Sequence, residues 1–166
     1  MPMAKAVFDF IVVGAGSAGC VVASRLAERG KSVLLVEAGG DNQQSRVKSP
    51  FSGSIHLQGS DLDWKYETVP QKVTGRTSFW PCGRVLGGCS SINQMIWVRG
   101  DPRTFDDWHK RFGCHGWSWS DVVPYCKRSE SFQGPDPDEV RGKDGPIVVS
   151  RAEDCNLATI LQSNDV

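Results

Sequence analysis

Two glycine-rich stretches hold the residues best suited to chemistry in this sequence. The first, GAGSAG at residues 14–19, has the G-x-G-x-x-G spacing of a turn that cradles a pyrophosphate. Gly14 allows the tight turn, Gly16 lets the backbone approach phosphate oxygens, and Gly19 lets a helix pack closely on a strand. Ala15, Ser17 and Ala18 complete this candidate cofactor-binding loop. Glu37, 18 residues after Gly19, ends the next apolar run, with Ala38 beside it. A carboxylate there can accept hydrogen bonds from both ribose hydroxyls of an adenosine and would repel a 2′-phosphate. The pattern therefore predicts a bound dinucleotide without that phosphate, and it does not separate NAD from FAD, which share the ADP half. The alternative is a ligand-free turn with Glu37 as a solvated strand end.

The second stretch is GRVLGGCSSINQMIWVRG at residues 83–100. Gly87 and Gly88 permit unusual backbone angles and remove side chains where something must come close. The following NQMIW reads as the possible start of a helix with exposed N–H groups. The residues alone leave a structural turn and a ligand contact equally open.

These loops need elements to hold them. VFDFIVVG is a β-branched apolar run, the pattern of a strand buried on both faces. Ala18, Val22 and Leu26 recur at fourfold spacing and predict one apolar helix face, ended by Gly30. SVLLVE is a second strand, so residues 7–37 form a βαβ unit with parallel strands. Residues 39–63 show no persistent period and predict an irregular connection. WKYETV and RTSFWP predict short strands around a turn at Gly75. Asp101 and Pro102 fit the N-cap and first position of a helix carrying a Phe105, Trp108, Phe112 stripe and closed by Gly113. A further helix opens at Ser118 or Ser120, bent at Pro124; GPDPDEVRGKDG is loop and PIVVS a strand.

With 166 residues, the chain can bury a core of its own. Its 19 basic residues balance its 19 acidic ones, which argues against nucleic acid or an anionic membrane as the main partner. No apolar run is long enough to span a bilayer. Asp9, Arg25 and Arg29 argue against a signal peptide, so the cytoplasm is the expected compartment. Six cysteines without a C-x-x-C pair, and only three histidines, predict free thiols and no metal site.

GAGSAG, VEAGG at 36–40, DWKYETVPQ at 63–71 and GRVLGGCSSINQMIWVRG followed by DDW together resemble the glucose–methanol–choline (GMC) oxidoreductase family, nearest its choline dehydrogenase and alcohol oxidase branches. The resemblance extends to DGPIVVS. It implies an α/β, Rossmann-like FAD-binding fold, incomplete relative to the family, with residues 1–166 as the N-terminal portion of the FAD-binding domain and the substrate domain absent. It implies FAD as cofactor and a small-molecule alcohol as substrate of the whole enzyme. The first loop would take the pyrophosphate and Glu37 the ribose. Val85, Gly87, Gly88 and the backbone of Asn93, Gln94, Met95 and Ile96 would lie along the flavin half. Trp64 and Arg84 match near-cofactor positions more loosely, with a core aromatic and an exposed charge as the alternatives.

Two departures stand out. Ile92 occupies a position where some members carry the histidine bonded to flavin, so the resemblance implies non-covalent FAD. Cys89 stands where the family usually has a small hydroxyl residue or glycine; with no neighbouring base or resolving cysteine evident, it reads as a steric substitute rather than a redox thiol. The family's catalytic histidine lies in its C-terminal part, and His109 and His115 do not match it, so no catalytic residue is expected here and the chain alone is expected to be inactive. Two alternatives are a non-catalytic remnant and an NAD-dependent dehydrogenase; the latter leaves residues 83–100 unexplained.

Overall fold

The computed structural model describes residues 6–49 and 56–151. The chain divides into two compact units after Ile96. The first begins with the βαβ unit. Strand β1 (Phe10–Val13), helix α1 (Ser17–Glu28) and strand β2 (Val33–Val36) follow in order, and the strands pair in parallel with Phe10 opposite Val33 and Val13 opposite Val36. Gly30 takes φ +73° and donates its N–H to Ala27 O, closing α1 as a left-handed glycine should.

Burial corrects two expectations. Alternate residues of a strand face opposite ways. Val12, Val33 and Leu35 are half-buried, whereas Ile11, Val13, Leu34 and Val36 form an exposed apolar face. The β-branched run thus marks a strand covered on one side, not both, among the described residues. Helix α1 does not pack through Ala18, Val22 and Leu26 either, since Ala18 and Val22 are exposed. Ala23 is its buried residue, and Gly19 lies one turn earlier on that side. A Cβ on Gly19 would stand 1.9 Å from Gly14 O and 3.6 Å from a Val12 methyl. The face with the smallest residues wins because it lets the helix axis come closest to the strand.

After β2 the chain runs through a one-turn helix, α2 (Ser45–Lys48), to the turn at residues 57–63. Strands β3 (Tyr66–Glu67) and β4 (Phe79–Trp80) pair antiparallel, with Gly75 at φ +64° in the connecting turn, as the sequence predicts. A 3₁₀ turn spans Gly88–Ser91. The predicted helix through NQMIW does not form; Met95 sits at φ +56°, and Asn93 Oδ1 accepts its N–H at 2.8 Å. Asn93 thereby offers the backbone a turn in place of a helix. The core of this unit is small: Leu57, Leu62, Val85 and Ile92 are buried against one another, with Val47 partly covering them.

In the second unit, helix α3 (Pro102–Phe112) is capped by Asp101, whose Oδ1 accepts the Arg103 N–H at 2.9 Å, and Gly113 ends it at φ +68°. Helix α4 (Trp119–Ser129) opens on a capping box: Ser118 Oγ accepts the Asp121 N–H, and Asp121 Oδ2 accepts the Ser118 N–H. Pro124 lies inside that helix. Asp106 Oδ1 accepts the Trp119 N–H at 3.1 Å, and Phe105 packs on Trp108 and Trp119, so α3 and α4 lock together near their N-terminal halves. Strands β5 (Glu130–Gln133) and β6 (Ile147–Ser150) pair in parallel, joined by the predicted loop.

Glu130 is the centre of this unit and is fully buried. Its carboxylate accepts from Arg99 Nη2, from Arg141 Nε and Nη2 at 3.0 and 2.9 Å, from Trp97 Nε1 at 2.7 Å and from the Gly142 N–H at 2.8 Å. Burial pushes its carboxyl up, but the Gly142 amide, Arg99 and Trp97 outweigh burial and hold it below the ordinary value.

Candidate cofactor cleft

The two glycine loops, some 70 residues apart in sequence, are in direct backbone contact. The Gly87 N–H donates to Ala15 O at 2.7 Å, and a Cβ on Gly88 would stand 2.8 Å from Gly16 Cα. Gly87 at φ +94° and Gly88 at φ +56° both require the freedom of glycine. The same closeness continues outward. A Cβ on Gly39 would meet Arg84 O at 2.1 Å, and one on Gly83 would meet Gly88 O at 2.2 Å. The loop at 14–19, the end of β2 and the 83–88 stretch are thus stacked backbone on backbone.

This stack forms one wall of a cleft of about 660 Å³. Gly14, Gly16, Ser17, Ala18 and Gly19 line it from α1 and its approach, Glu37 and Ala38 from the end of β2, and Gly83 and Gly88 from the stacked second loop, with Trp64, Cys82 and Cys89 completing the lining. Gly16 is the N-cap of α1 and supplies no side-chain cap, and the first turn carries no acidic residue. The helix therefore presents its first N–H groups and the positive end of its dipole without an internal anion competing for them. A Cβ built on Gly16 meets no protein atom within 4 Å and would project into free space, at an ordinary φ of −76°.

Glu37 is held more firmly than its sequence position suggests. Its Oε2 accepts the Ala15 N–H at 2.8 Å and its Oε1 the Gly39 N–H at 2.9 Å. One carboxylate ties the first glycine loop to the turn after β2, and each oxygen keeps a second lone pair for a ligand. Trp64 stands half-exposed on the cleft, and the Arg84 guanidinium lies over its ring, 5.0 Å from the centroid.

Asp63, which the sequence did not single out, organises the backbone around Trp64 and Cys82. Its Oδ2 accepts from Gly59 N at 2.8 Å, and its Oδ1 from Lys65 N at 2.9 Å and Cys82 N at 2.8 Å. Burial pushes this carboxyl up, but the three amides outweigh it and the group stays below its ordinary value. Trp64 N donates to Cys82 O and Arg84 N to Leu62 O, so Trp64 is fixed against the stretch that precedes the second glycine pair.

Of the residues singled out from sequence, Gly14, Gly16, Ser17, Ala18, Gly19, Glu37, Ala38, Trp64 and Gly88 share the cleft. Ala15 and Val85 are fully buried just behind it. Gly87 braces the first loop, and Arg84 covers Trp64. Asn93 and Met95 instead line a separate cavity of about 260 Å³ with Val47, Leu57 and Ser91. Gln94 and Ile96 are exposed and line neither. Among the described residues, no cluster of His, Cys, Asp or Glu could hold a metal ion, and no helix is long and apolar enough to cross a membrane.

Residues 8–161 match the GMC oxidoreductase profile. The chain belongs to the GMC oxidoreductase family. It is 40% identical over 158 residues to an oxygen-dependent choline dehydrogenase of Photobacterium profundum, covering 94% of this chain and 28% of that protein. It is 46% identical over 130 residues to a glucose dehydrogenase [FAD, quinone] of Drosophila pseudoobscura pseudoobscura, covering 74% and 20%. Among solved structures, pyridoxine 4-oxidase from Mesorbium loti superposes with a TM-score of 0.79 at 35% identity, over 90% of this chain and 30% of that one. Formate oxidase of Aspergillus oryzae RIB40 gives 0.77 at 39%, over 88% and 27%. This GMC chain thus spans less than a third of the length of these relatives, and it has their mixed α/β fold.

Proposed function

We propose that this chain is the FAD-binding portion of a flavin oxidoreductase that oxidises an alcohol CH–OH group. The observation that carries the reading is the contact of the two glycine loops on one cleft, with Gly88 against Gly16 and the uncapped start of α1 beside them. An extended dinucleotide needs such a wall, low enough for close approach and rich in N–H donors. The N–H groups of Ser17, Ala18 and Gly19 would hold the pyrophosphate, and Glu37 the adenosine ribose. Val85, Gly87 and Gly88 would set the floor under the flavin half, with Trp64 beside it. Bound flavin supplies a hydride acceptor for the alcohol carbon. What this chain's own residues contribute is binding, orientation and exclusion of water; none of them is assigned a proton-transfer role.

FAD would be held without a covalent bond. Ile92 is 2% exposed, packs with Leu57, Leu62 and Val85, and has no nucleophilic atom. The whole enzyme's substrate is proposed as a small-molecule alcohol, and its compartment as the cytoplasm, where the five described cysteines, all free thiols, would stay reduced.

The test is the visible spectrum of the purified protein with and without added FAD. Flavin bands that stay with the protein and are released by acid precipitation are expected. The decisive variant is Gly16→Ala: its backbone angles suit alanine and its Cβ meets no protein atom, so folding should be kept while FAD affinity drops by about tenfold, roughly 1.4 kcal/mol. Unchanged FAD affinity in a folded Gly16→Ala protein would sink the assignment.

A further inference from the structure

Cys89 does have a thiol neighbour. Its Sγ lies 3.7 Å from Cys82 Sγ, and both sulfurs belong to residues lining the cleft. We propose that Cys82 and Cys89 form a peroxide-sensitive dithiol on the cleft wall, a modification site that closes to a disulfide.

The sulfurs meet because backbone holds them. Cys82 directly precedes Gly83 and Cys89 directly follows Gly88, and those two glycines touch, a Cβ on Gly83 standing 2.2 Å from Gly88 O. Asp63 Oδ1 anchors Cys82 through its N–H at 2.8 Å. A disulfide needs its sulfurs about 2.05 Å apart, so each side chain has little distance left to cover.

The two thiols have different surroundings. Cys89 is exposed and open to a small oxidant, and its Sγ accepts the Gly83 N–H at 3.4 Å. Cys82 is half-buried, and burial with the Cys89 hydrogen bond pushes its thiol up, keeping it protonated. Cys89 is therefore the attacking sulfur. Its thiolate displaces hydroxide from hydrogen peroxide and becomes a sulfenic acid, and the hydroxide takes up a proton as water. Cys82 sulfur then attacks Cys89 sulfur; the S–OH bond breaks, and the hydroxyl leaves with the Cys82 proton as a second water. Two thiols lose two electrons and two protons to one peroxide. Intracellular disulfides of this kind are transient and redox-sensing rather than structural.

Trypsin separates the two cysteines, since it cuts after Arg84 and puts Cys82 in peptide 77–84 and Cys89 in 85–99. The full chain, reduced and then treated with hydrogen peroxide, should yield these two peptides joined, and dithiothreitol should part them. The joined species should form several-fold faster in native protein than in urea. In Cys82→Ser, Cys89 should accumulate as a dimedone-reactive sulfenic acid; in Cys89→Ser, Cys82 should stay a thiol. Peptides recovered separately, or joined no faster than in urea, would overturn the proposal. A sulfenic acid that builds up on Cys82 instead would overturn the assigned roles.

Discussion

The wall of the cleft and the surroundings of Glu130 are both tightly packed, and they reach that state by opposite routes. At the cleft, Gly16, Gly39, Gly83 and Gly88 bring main chain onto main chain, and the contacts are between atoms every residue has. Around Glu130, two guanidinium groups, an indole and an amide converge on one buried carboxylate. Absence of side chains leaves room for a ligand to touch backbone donors. Convergence of side chains fills the space and leaves the carboxylate with nothing further to bind. The comparison teaches that burial of a charged group is no sign of a site; Glu37, half-buried with spare lone pairs on the cleft, is the better candidate.

The largest effect should come from breaking the ionic centre. Glu130→Ala leaves Arg99 and Arg141 partly buried without their partner and should cost about 3–5 kcal/mol in urea unfolding. A loss below about 1 kcal/mol would place this centre with surface ion pairs instead. Next comes Gly39→Ala, whose Cβ would stand 2.1 Å from Arg84 O; with only backbone to move, the cost should reach about 1–3 kcal/mol. Wild-type stability in that variant would mean the stacked wall yields easily.

Acid should separate the regions more gently. The folded-state value of Glu130 lies below its ordinary 4.5, so its contribution is whole above pH 4.5 and is lost as pH falls through the depressed value. Stability measured against pH should therefore decline on the acid side of 4.5, and Glu130→Gln should flatten that decline. An unchanged slope would remove Glu130 from the account. The smallest effect belongs to Arg84→Ala, which strips the cation from the exposed Trp64 ring and should cost about 0.5–1 kcal/mol while changing Trp fluorescence.

Local signals were legible in the sequence where one residue decides the geometry. Asp101 with Pro102, Gly113 and Gly75 each act within a few residues and stand as read; of Ser118 and Ser120, the structure makes Ser118 the cap, with Asp121 completing a box the sequence reading did not name. The βαβ unit and its first glycine loop were legible for the same reason. What was hidden depends on long-range packing. Val22 lost to Ala23 as the packed face because a close helix–strand approach favours small residues over apolar ones. The exposure of Ile11 and Val13 follows from what covers β1, which a strand's composition does not encode. Cys82 and Cys89 are neighbours only because the turn at Gly87 and Gly88 brings position 89 back beside position 82. Asp63 and Glu130 look like any other carboxylates until the amides that surround them are known.

The clash that forbids a side chain at Gly39 is with a carbonyl oxygen, and the one at Gly83 likewise. A steric conflict between two side chains can be cured by shrinking the other partner, so mutants of that kind yield second-site suppressors. Here the other partner is the carbonyl of Arg84 or of Gly88, which no amino acid at those positions lacks. In a genetic selection, lesions at these glycines should revert to glycine rather than acquire compensating changes at the residues they touch.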